Sequence, residues 1–246
     1  MPYPVDYISL QESQLRLLGR QRHSADQLLY VQGGSLLLRL GRDELVLRQG
    51  ESFWLPAECL HGLTLLKDTH LVRLQFSVRV RQSRPQSAGY LQPLPLLPPL
   101  IERLGQLQGS TEGIQWQGQG GRLLRVVADL LPELRLSPYS PLLWPAAIPG
   151  TLQAIMQGRD LSAIANLANS QHQLSPRQLL DEFKSTLGTS LIEWQEQWQL
   201  YQTHLHLKQG LGEEAAYRQA GFASDEQYQQ CRQRYLQAPT DSGTSL

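Results

Sequence analysis

Hydrophobic and polar residues follow a strand-like pattern in the first third of the chain and a helical period in the last third. Between residues 27 and 80, short apolar segments are separated by Gly33-Gly34, residues 41–43 and Gln49-Gly50. Turn residues at this spacing are typical of β-hairpins, and several short strands in succession predict a small barrel or sandwich. The predicted strands are residues 28–31, 35–40, 44–47, 52–55 and 71–76.

Proline-rich segments divide the rest of the chain. Residues 82–99 and 138–149 predict two linkers, and helical spacing occupies residues 100–107 and 123–134 between them. An apolar stripe on the second of these helices is formed by Leu123, Val126, Val127, Leu130 and Leu134. We therefore predict a β-barrel over residues 1–85, a linker and helical dimerisation region over 86–148, a helical domain over 149–239 and a disordered tail over 240–246.

The helical domain contains a helix whose start is strongly encoded. Ser175 is a suitable N-cap, Pro176 suits the first helical position, and Gln178 completes a capping box. Leu179, Phe183 and Leu187 fall on one face of this helix, and Gly188 suits its C-terminal exit. The side chains of its first turn are therefore expected to lie at the surface.

A similar start occurs about fifty residues later. The turn Gly221-Phe222-Ala223-Ser224 leads into a second Ser-x-x-Gln box formed by Ser224 and Gln227. A long helix opened by Ser190 and Glu193 lies between the two, and it carries an apolar seam at three- and four-residue steps. The seam is predicted to be core and consists of Leu191, Trp194, Trp198, Tyr201 and Leu205.

Together these segments resemble the AraC-type family of bacterial transcription regulators, over about residues 151–239. The resemblance rests on an ordered set: Ile164-x-x-Leu167-Ala168, Leu174-Ser175-Pro176-Arg177, Phe183-Lys184, Leu187-Gly188-Thr189-Ser190 and Gly221-Phe222-x-Ser224. It implies an all-α domain with two helix-turn-helix units that binds double-stranded DNA through two helices in adjacent major grooves.

The resemblance also implies which side chains contact DNA, because the exposed first turn of a recognition helix faces base edges. The candidates are Ser175, Arg177, Gln178 and Lys184 in the first unit, and Ser224, Gln227, Arg232 and Arg234 in the second.

The upstream half resembles a cupin barrel, a sensor domain often found ahead of AraC-type readers. The spacing Gly50-x5-Pro56-x4-His61 is similar to the second cupin motif, and His23 lies where the first would begin. The implied fold is an N-terminal all-β cupin-like barrel and a C-terminal all-α double helix-turn-helix domain joined by linker helices. The implied function is an effector-responsive transcription regulator. A small-molecule effector would lie in the barrel beside His23, Tyr30, Trp54 and His61. Homodimerisation through the helices of residues 100–134 is expected, and RNA polymerase is a candidate partner.

A cupin-type metal enzyme is the alternative that this barrel raises. Metal sites need three or four converging ligands. Here His23 is followed by Ser24 and Ala25 rather than by a second histidine, and His61 is the one ligand of the second motif. We therefore predict no catalytic residue, no metal and no cofactor, and the protein is not expected to be an enzyme.

Charge raises a second alternative. The 246-residue chain has a formal net charge of zero, but residues 150–246 contain seven basic and ten acidic residues, a net charge of −3. Neutralising phosphates supplies much of DNA affinity, and Asp225 and Glu226 lie at the start of the second candidate helix. We therefore expect the first unit to carry most of the recognition. The alternative is a degenerate regulator with weak DNA binding that acts through protein contacts.

Composition bears on the compartment. Cys59 and Cys231 are the two cysteines and are far apart in sequence, which favours a reducing compartment over a disulfide framework. The first residues show no basic region leading into an apolar run, and prolines interrupt the most apolar stretch, residues 91–101. The expectation is a cytoplasmic protein with no membrane partner.

Overall fold

The computed structural model describes residues 4–109 and 114–236, whose chain forms two compact units. The first unit holds most of the chain up to Leu143. The second begins at Trp144 and also includes two short segments, Glu12–Leu17 and Thr64–Lys67. No helix in the described ranges combines the length and the apolar character needed to cross a bilayer. The tail predicted over residues 240–246 lies outside the described residues.

The first unit is built mainly of β-strands. In chain order they are β1 (Val5–Glu12), β2 (Arg16–Gln21), β3 (Asp26–Gly33), β4 (Ser35–Leu40), β5 (Asp43–Arg48), β6 (Ser52–Leu55), β7 (His61–Leu65), β8 (Thr69–Phe76), β9 (Gly89–Leu91) and β10 (Leu136–Ser137). The five strands predicted from turn spacing correspond to β3, β4, β5, β6 and β8. Strand β9 lies within the segment predicted as a linker, where it pairs with β6 and β10.

The strands form two sheets. One has the order β1-β8-β3-β6-β9-β10 and the other the order β2-β7-β4-β5. Strand β3 is central in the first sheet, where Leu28 lies opposite both Trp54 and Leu74. Successive side chains of a strand point to opposite faces, so this register decides which residues share a face.

Two helices, α1 (Leu97–Gln108) and α2 (Gln119–Asp129), and a 3₁₀ turn at Leu131–Glu133 cover one face of the six-stranded sheet. Leu28, Trp54 and Leu74 pack in one buried cluster with residues of both helices, such as Ile101 and Val127. The apolar stripe predicted over residues 123–134 runs from α2 to the end of the 3₁₀ turn and is partly used within the unit. Val127 and Leu134 are buried, Leu123 and Leu130 are half-buried, and Val126 is 37% exposed.

The second unit contains six helices among the described residues. They are α3 (Ala147–Met156), α4 (Leu161–His172), α5 (Pro176–Leu187), α6 (Leu191–Lys208), α7 (Glu213–Gln219) and α8 (Asp225–Tyr235). The helical character predicted after Gly150 is confirmed. Helix α3 starts three residues earlier, inside the second proline-rich segment.

The aromatic seam of α6 lies in the core of this unit. Trp194 and Trp198 stack with ring centroids 6.0 Å apart, Phe183 of α5 meets Trp194 edge-on at 6.4 Å, and Tyr201 continues the row. All four side chains are buried. Aromatic side chains bury large apolar areas, and edge-on and stacked contacts add to that stabilisation. The prediction that these aromatic residues are core is confirmed.

Two short segments of the N-terminal half complete the second unit. The backbone N–H of Lys67 donates to Oε1 of Gln197 at 2.6 Å, and Gln197 is fully buried. The backbone N–H of Leu15 donates to the carbonyl of Tyr235 at 2.9 Å. These bonds satisfy polar groups that would otherwise be buried without partners.

Candidate functional site

Helix α5 begins as its sequence predicts. The backbone N–H of Gln178 donates to Oγ of Ser175 at 3.3 Å, and the backbone N–H of Ser175 donates to Oε1 of Gln178 at 2.9 Å. This reciprocal capping box, with Pro176 in the first turn, fixes the start of the helix. The side chains of Ser175 and Gln178 are thus engaged in the cap.

The two cations of α5 are exposed. Arg177 lies in the first turn and Lys184 two turns further on, and neither forms an ion pair within the described part of the chain. Leu179, Phe183 and Leu187 are buried on the opposite side of the helix. Packing on one side therefore leaves both positive charges available on the other.

Helix α8 also begins at a serine, but its cap differs. The backbone N–H of Gln227 donates to Oγ of Ser224 at 3.2 Å, whereas Oε1 of Gln227 accepts from the backbone N–H of Ala223 at 3.0 Å rather than from Ser224. The reciprocal bond of a capping box is thus replaced by one to the preceding residue. Tyr228, Cys231 and Tyr235 are buried, which confirms the predicted apolar face.

The two arginines of α8 form ion pairs with acidic side chains of other helices. Arg232 forms an ion pair with Glu213 at 3.2 Å, and Arg234 forms one with Glu196 at 2.9 Å. The hydroxyl of Tyr235 also donates to Glu196, at 2.6 Å. The burial of Tyr235 raises the pKa of its phenol, and hydrogen bonding to Glu196 adds to that shift, so the phenol keeps its proton. The pair of Arg232 and Glu213 is exposed, and exposed ion pairs contribute little stability and can be exchanged for other partners.

The turns that precede the two helices use different residues. Gly221, with φ of +98°, precedes α8, and its carbonyl accepts a hydrogen bond from Nε2 of Gln199 on α6 at 3.1 Å. Gln173, with φ of +56°, ends α4 ahead of α5. Glycine adopts positive φ without the Cβ clash that other residues suffer. The first turn is therefore the more strained of the two.

In the first unit, called the β-domain below, the structure brings together two of the four predicted effector residues. The rings of His23 and His61 lie 5.6 Å apart between centroids. His61 is buried, and its Nδ1–H donates to the carbonyl of Cys59 at 2.9 Å. Burial lowers the pKa of both imidazoles, and the positive charge of Arg73 lowers each further. Both rings are therefore neutral at pH 7.

The structure places the other two, Tyr30 and Trp54, on the face of the six-stranded sheet that packs against α1 and α2. Trp54 is fully buried there beside Phe76, with ring centroids 5.7 Å apart, and its Nε1–H donates to the carbonyl of Pro85 at 2.9 Å. Tyr30 packs against the same cluster. Tyr30 and Trp54 thus serve the helix-covered core and do not join the histidine pair.

The sequence analysis did not identify Gln27 and Arg73, which are among the polar residues on the inner face of the six-stranded sheet. Gln27 and Arg73 lie on β3 and β8, on the face opposite to Leu28 and Leu74. Both residues sit within apolar strand segments, and the signal that could have found them is a polar residue at a position facing inward. That face could be assigned only once the strand register was known.

Within residues 4–109 and 114–236, no group of three or more His, Cys, Asp or Glu side chains is placed to hold a metal ion. His23 and His61 could supply two nitrogen ligands, which is fewer than protein metal sites use.

Comparison with known proteins identifies the N-terminal half. The model of the AraC-like ligand binding domain matches residues 3–131, which is just over half of the chain. The chain belongs to this AraC-like family. The match spans the β-domain and helices α1 and α2, so the predicted arrangement of a cupin-like β-domain followed by a helical region is confirmed. A search of curated proteins found no match.

Solved structures similar to this AraC-like protein are distant in sequence. KdgF from a Halomonas species is 22% identical with a TM-score of 0.29, covering 30% of this chain and 71% of that one. An RmlC-like cupin from Shewanella frigidimarina is 20% identical with a TM-score of 0.29, covering 31% and 68%. ToxT from Vibrio cholerae is 11% identical with a TM-score of 0.36, covering 96% and 95%. The family assignment rests on the match over residues 3–131.

Proposed function

We propose that this AraC-like protein is an effector-responsive transcription regulator that binds promoter DNA through two helix-turn-helix units, α4–α5 and α7–α8. The observation that carries the proposal is the surface of α5. A helix with a fixed start presents Arg177 in its exposed first turn, and Lys184 lies on the same accessible surface. An arginine in this position can donate two hydrogen bonds to a guanine edge, while a lysine nearby can contact phosphate.

The roles of the predicted contacts differ between the two units. In the first helix-turn-helix unit, Arg177 would contact base edges and Lys184 would contact the phosphates of the DNA backbone. Ser175 and Gln178 would position Arg177 by fixing the start of the helix. In the second helix-turn-helix unit, α7–α8, Ser224 and Gln227 would cap the start of α8. Arg232 and Arg234 would need to exchange Glu213 and Glu196 for phosphates. The helix-turn-helix unit α4–α5 would therefore supply most of the DNA recognition.

The proposed partners are double-stranded DNA, a small effector in the β-domain, a second copy of the chain and RNA polymerase. Residual apolar surface on α2, with Val126 exposed, supports the proposal of a homodimer. No catalytic residue, metal or cofactor is part of the proposal.

A DNase footprint of the full-length protein on the DNA upstream of its own coding sequence tests the function, with and without cell extract as a source of effector. Protection of a discrete site, changed by extract, is the expected result. Genome-wide binding with no enriched site under any growth condition would contradict it.

The alternative of a regulator that acts through protein contacts has one observation in its favour. Both arginines of α8 are held by acidic side chains of the same unit, and the first turn of α8 carries Asp225 and Glu226. A reporter strain distinguishes the two functions. If regulation persists when Arg177→Ala has abolished binding of the purified protein to DNA, the alternative is correct.

A further inference from the structure

The inner face of the β-domain carries a group of polar side chains at one end of the sheets. Gln27, at the start of β3, lies opposite Leu55 of β6 and Gln75 of β8, and Arg73 lies opposite Leu29. The residues alternating with them face α1 and α2, so this set points the other way. Phe53 shares that face and contacts Tyr90, whose hydroxyl donates to the carbonyl of Val46 in the four-stranded sheet.

Gln27 is the most unusual member of this group. Its side chain is 0% exposed, and neither Nε2 nor Oε1 has a hydrogen-bond partner among the described residues. Buried amides are nearly always hydrogen-bonded, because a buried amide without a partner has lost its water contacts without compensation. The side chain of Gln27 therefore has a hydrogen-bond donor, Nε2, and an acceptor, Oε1, that a bound molecule can pair with.

The imidazoles of His23 and His61 add further hydrogen-bond acceptors that lack partners. Since Nδ1 of His61 donates to a carbonyl, the neutral ring presents the lone pair of its Nε2, and that atom is buried without a partner. Nε2 of His23 is likewise buried without a partner. His61 begins β7 and His23 lies in the β2–β3 connection. Both lie at the segment that follows Leu55, the residue opposite Gln27, because the backbone N–H of Glu58 donates to the carbonyl of His23 at 2.8 Å.

Arg73 gives this group of polar side chains a positive charge. Arg73 lies on the same face of the six-stranded sheet as Gln27, and its positive charge lowers the pKa of both His23 and His61. Arg73 already makes a contact within the protein, but a guanidinium has five N–H donors and can serve a second partner. A fixed positive charge beside two imidazoles disfavours a metal cation and favours an anion.

We propose that His23, Gln27, His61 and Arg73 bind a small hydroxycarboxylic acid, and that this chemical class is the effector. The carboxylate accepts from Arg73 and from Nε2 of Gln27, while the hydroxyl of the acid donates to Nε2 of His61. One molecule with both groups satisfies Nε2 of Gln27 and Nε2 of His61, two of the buried polar atoms that lack partners inside the β-domain. The inference rests on the proposed function in taking the bound acid to be the effector.

Isothermal titration of the full-length protein in the absence of DNA tests this binding. The probes are lactate and D-gluconate, with propionate lacking the hydroxyl, lactamide lacking the charge, and inorganic phosphate as an anion of different shape. We expect at least one hydroxy acid to bind, with lactamide and propionate at least tenfold weaker. The proposal is overturned if neither hydroxy acid binds, if lactamide equals lactate, or if phosphate binds more tightly than both acids.

Variants locate the site. Arg73→Gln should weaken binding of the acid at least tenfold, whereas Arg42→Gln, in the exposed β4–β5 turn, should leave it unchanged. Gln27→Leu should abolish binding and raise the melting temperature of the free protein, because it removes two buried polar atoms that lack partners. Unchanged acid binding by a folded Gln27→Leu protein would place the ligand elsewhere and contradict the proposal.

A gel shift on the same samples separates this inference from the proposed function. Arg42→Gln, in the exposed β4–β5 turn, should bind DNA as the wild type does when no acid is present. Acid binding without any DNA binding would refute the regulator and leave the ligand site standing. DNA binding by a protein that binds neither hydroxy acid would refute the ligand site and leave the proposed regulator standing.

Discussion

Helices α5 and α8 both begin at a serine that caps the helix, but their exposed charged side chains meet different surroundings. On α5, Arg177 and Lys184 have no ion pair within the described residues. On α8, Arg232 and Arg234 are paired with Glu213 and Glu196. The same local signal thus produces two helices of different binding potential, because a cap fixes where a helix begins and says nothing about the charges that face it.

The largest expected effect concerns the two arginines. Arg177→Ala should weaken specific DNA binding by about 1–3 kcal/mol, roughly 5-fold to 150-fold, since a bidentate contact to a base is lost. Arg232→Ala, the matched change on α8, should cost less than about threefold because its guanidinium is already paired. Fluorescence anisotropy on the footprinted site measures both. The reverse ranking would show that α8 is the principal reader.

The turns provide the next comparison. Gly221→Ala should destabilise the protein by about 1–2 kcal/mol, because φ of +98° is unfavourable for a residue with a Cβ atom. Gln173→Gly should instead stabilise it, by up to about 1 kcal/mol, since it relieves a positive φ at the corresponding turn. Urea unfolding measures both. Destabilisation by Gln173→Gly would show that the positive φ of Gln173 carries no strain and would contradict this comparison.

The caps should differ more modestly. Ser175→Ala removes an acceptor from a reciprocal capping box, and Ser224→Ala removes one from a single-sided cap. Each should cost about 1 kcal/mol of unfolding free energy. We expect Ser175→Ala to be the more damaging of the two, and also to weaken DNA binding because Arg177 loses its fixed position. A larger loss of stability in Ser224→Ala would contradict this order.

The smallest expected effect tests whether α8 gains DNA affinity when one of its arginines is released from its ion pair. Glu213→Gln should release Arg232 and raise non-specific DNA affinity about twofold to threefold at low salt, with the gain disappearing as salt is added. Glu214→Gln is the matched control, because it removes the same charge one residue away and releases Arg218 instead. An equal gain in both variants would indicate a general charge effect and not the release of Arg232.

Much of the C-terminal unit could be predicted from the sequence. The capping boxes of α5 and α6, the buried face of α8 and the aromatic row of α6 depend on residues three or four positions apart, and each is present. The candidate site in the β-domain was only half predicted. His23 and His61 are neighbours, but Tyr30 and Trp54 face the helices, because strand position alone does not tell which sheet face looks inward.

The sequence by itself determined where α5, α6 and α8 begin and where five of the strands lie, since capping, turn formation and amphipathic spacing are interactions within a few residues. It also placed an arginine in the first turn of α5. Only the tertiary structure decided which charges are paired and which polar atoms are buried without a partner. Arg234 meets Glu196 across 38 positions, and strand register places Gln27 and Arg73 on one face of the six-stranded sheet. Such encounters depend on how distant segments pack, because their pairing is not encoded in the residues adjacent to either partner.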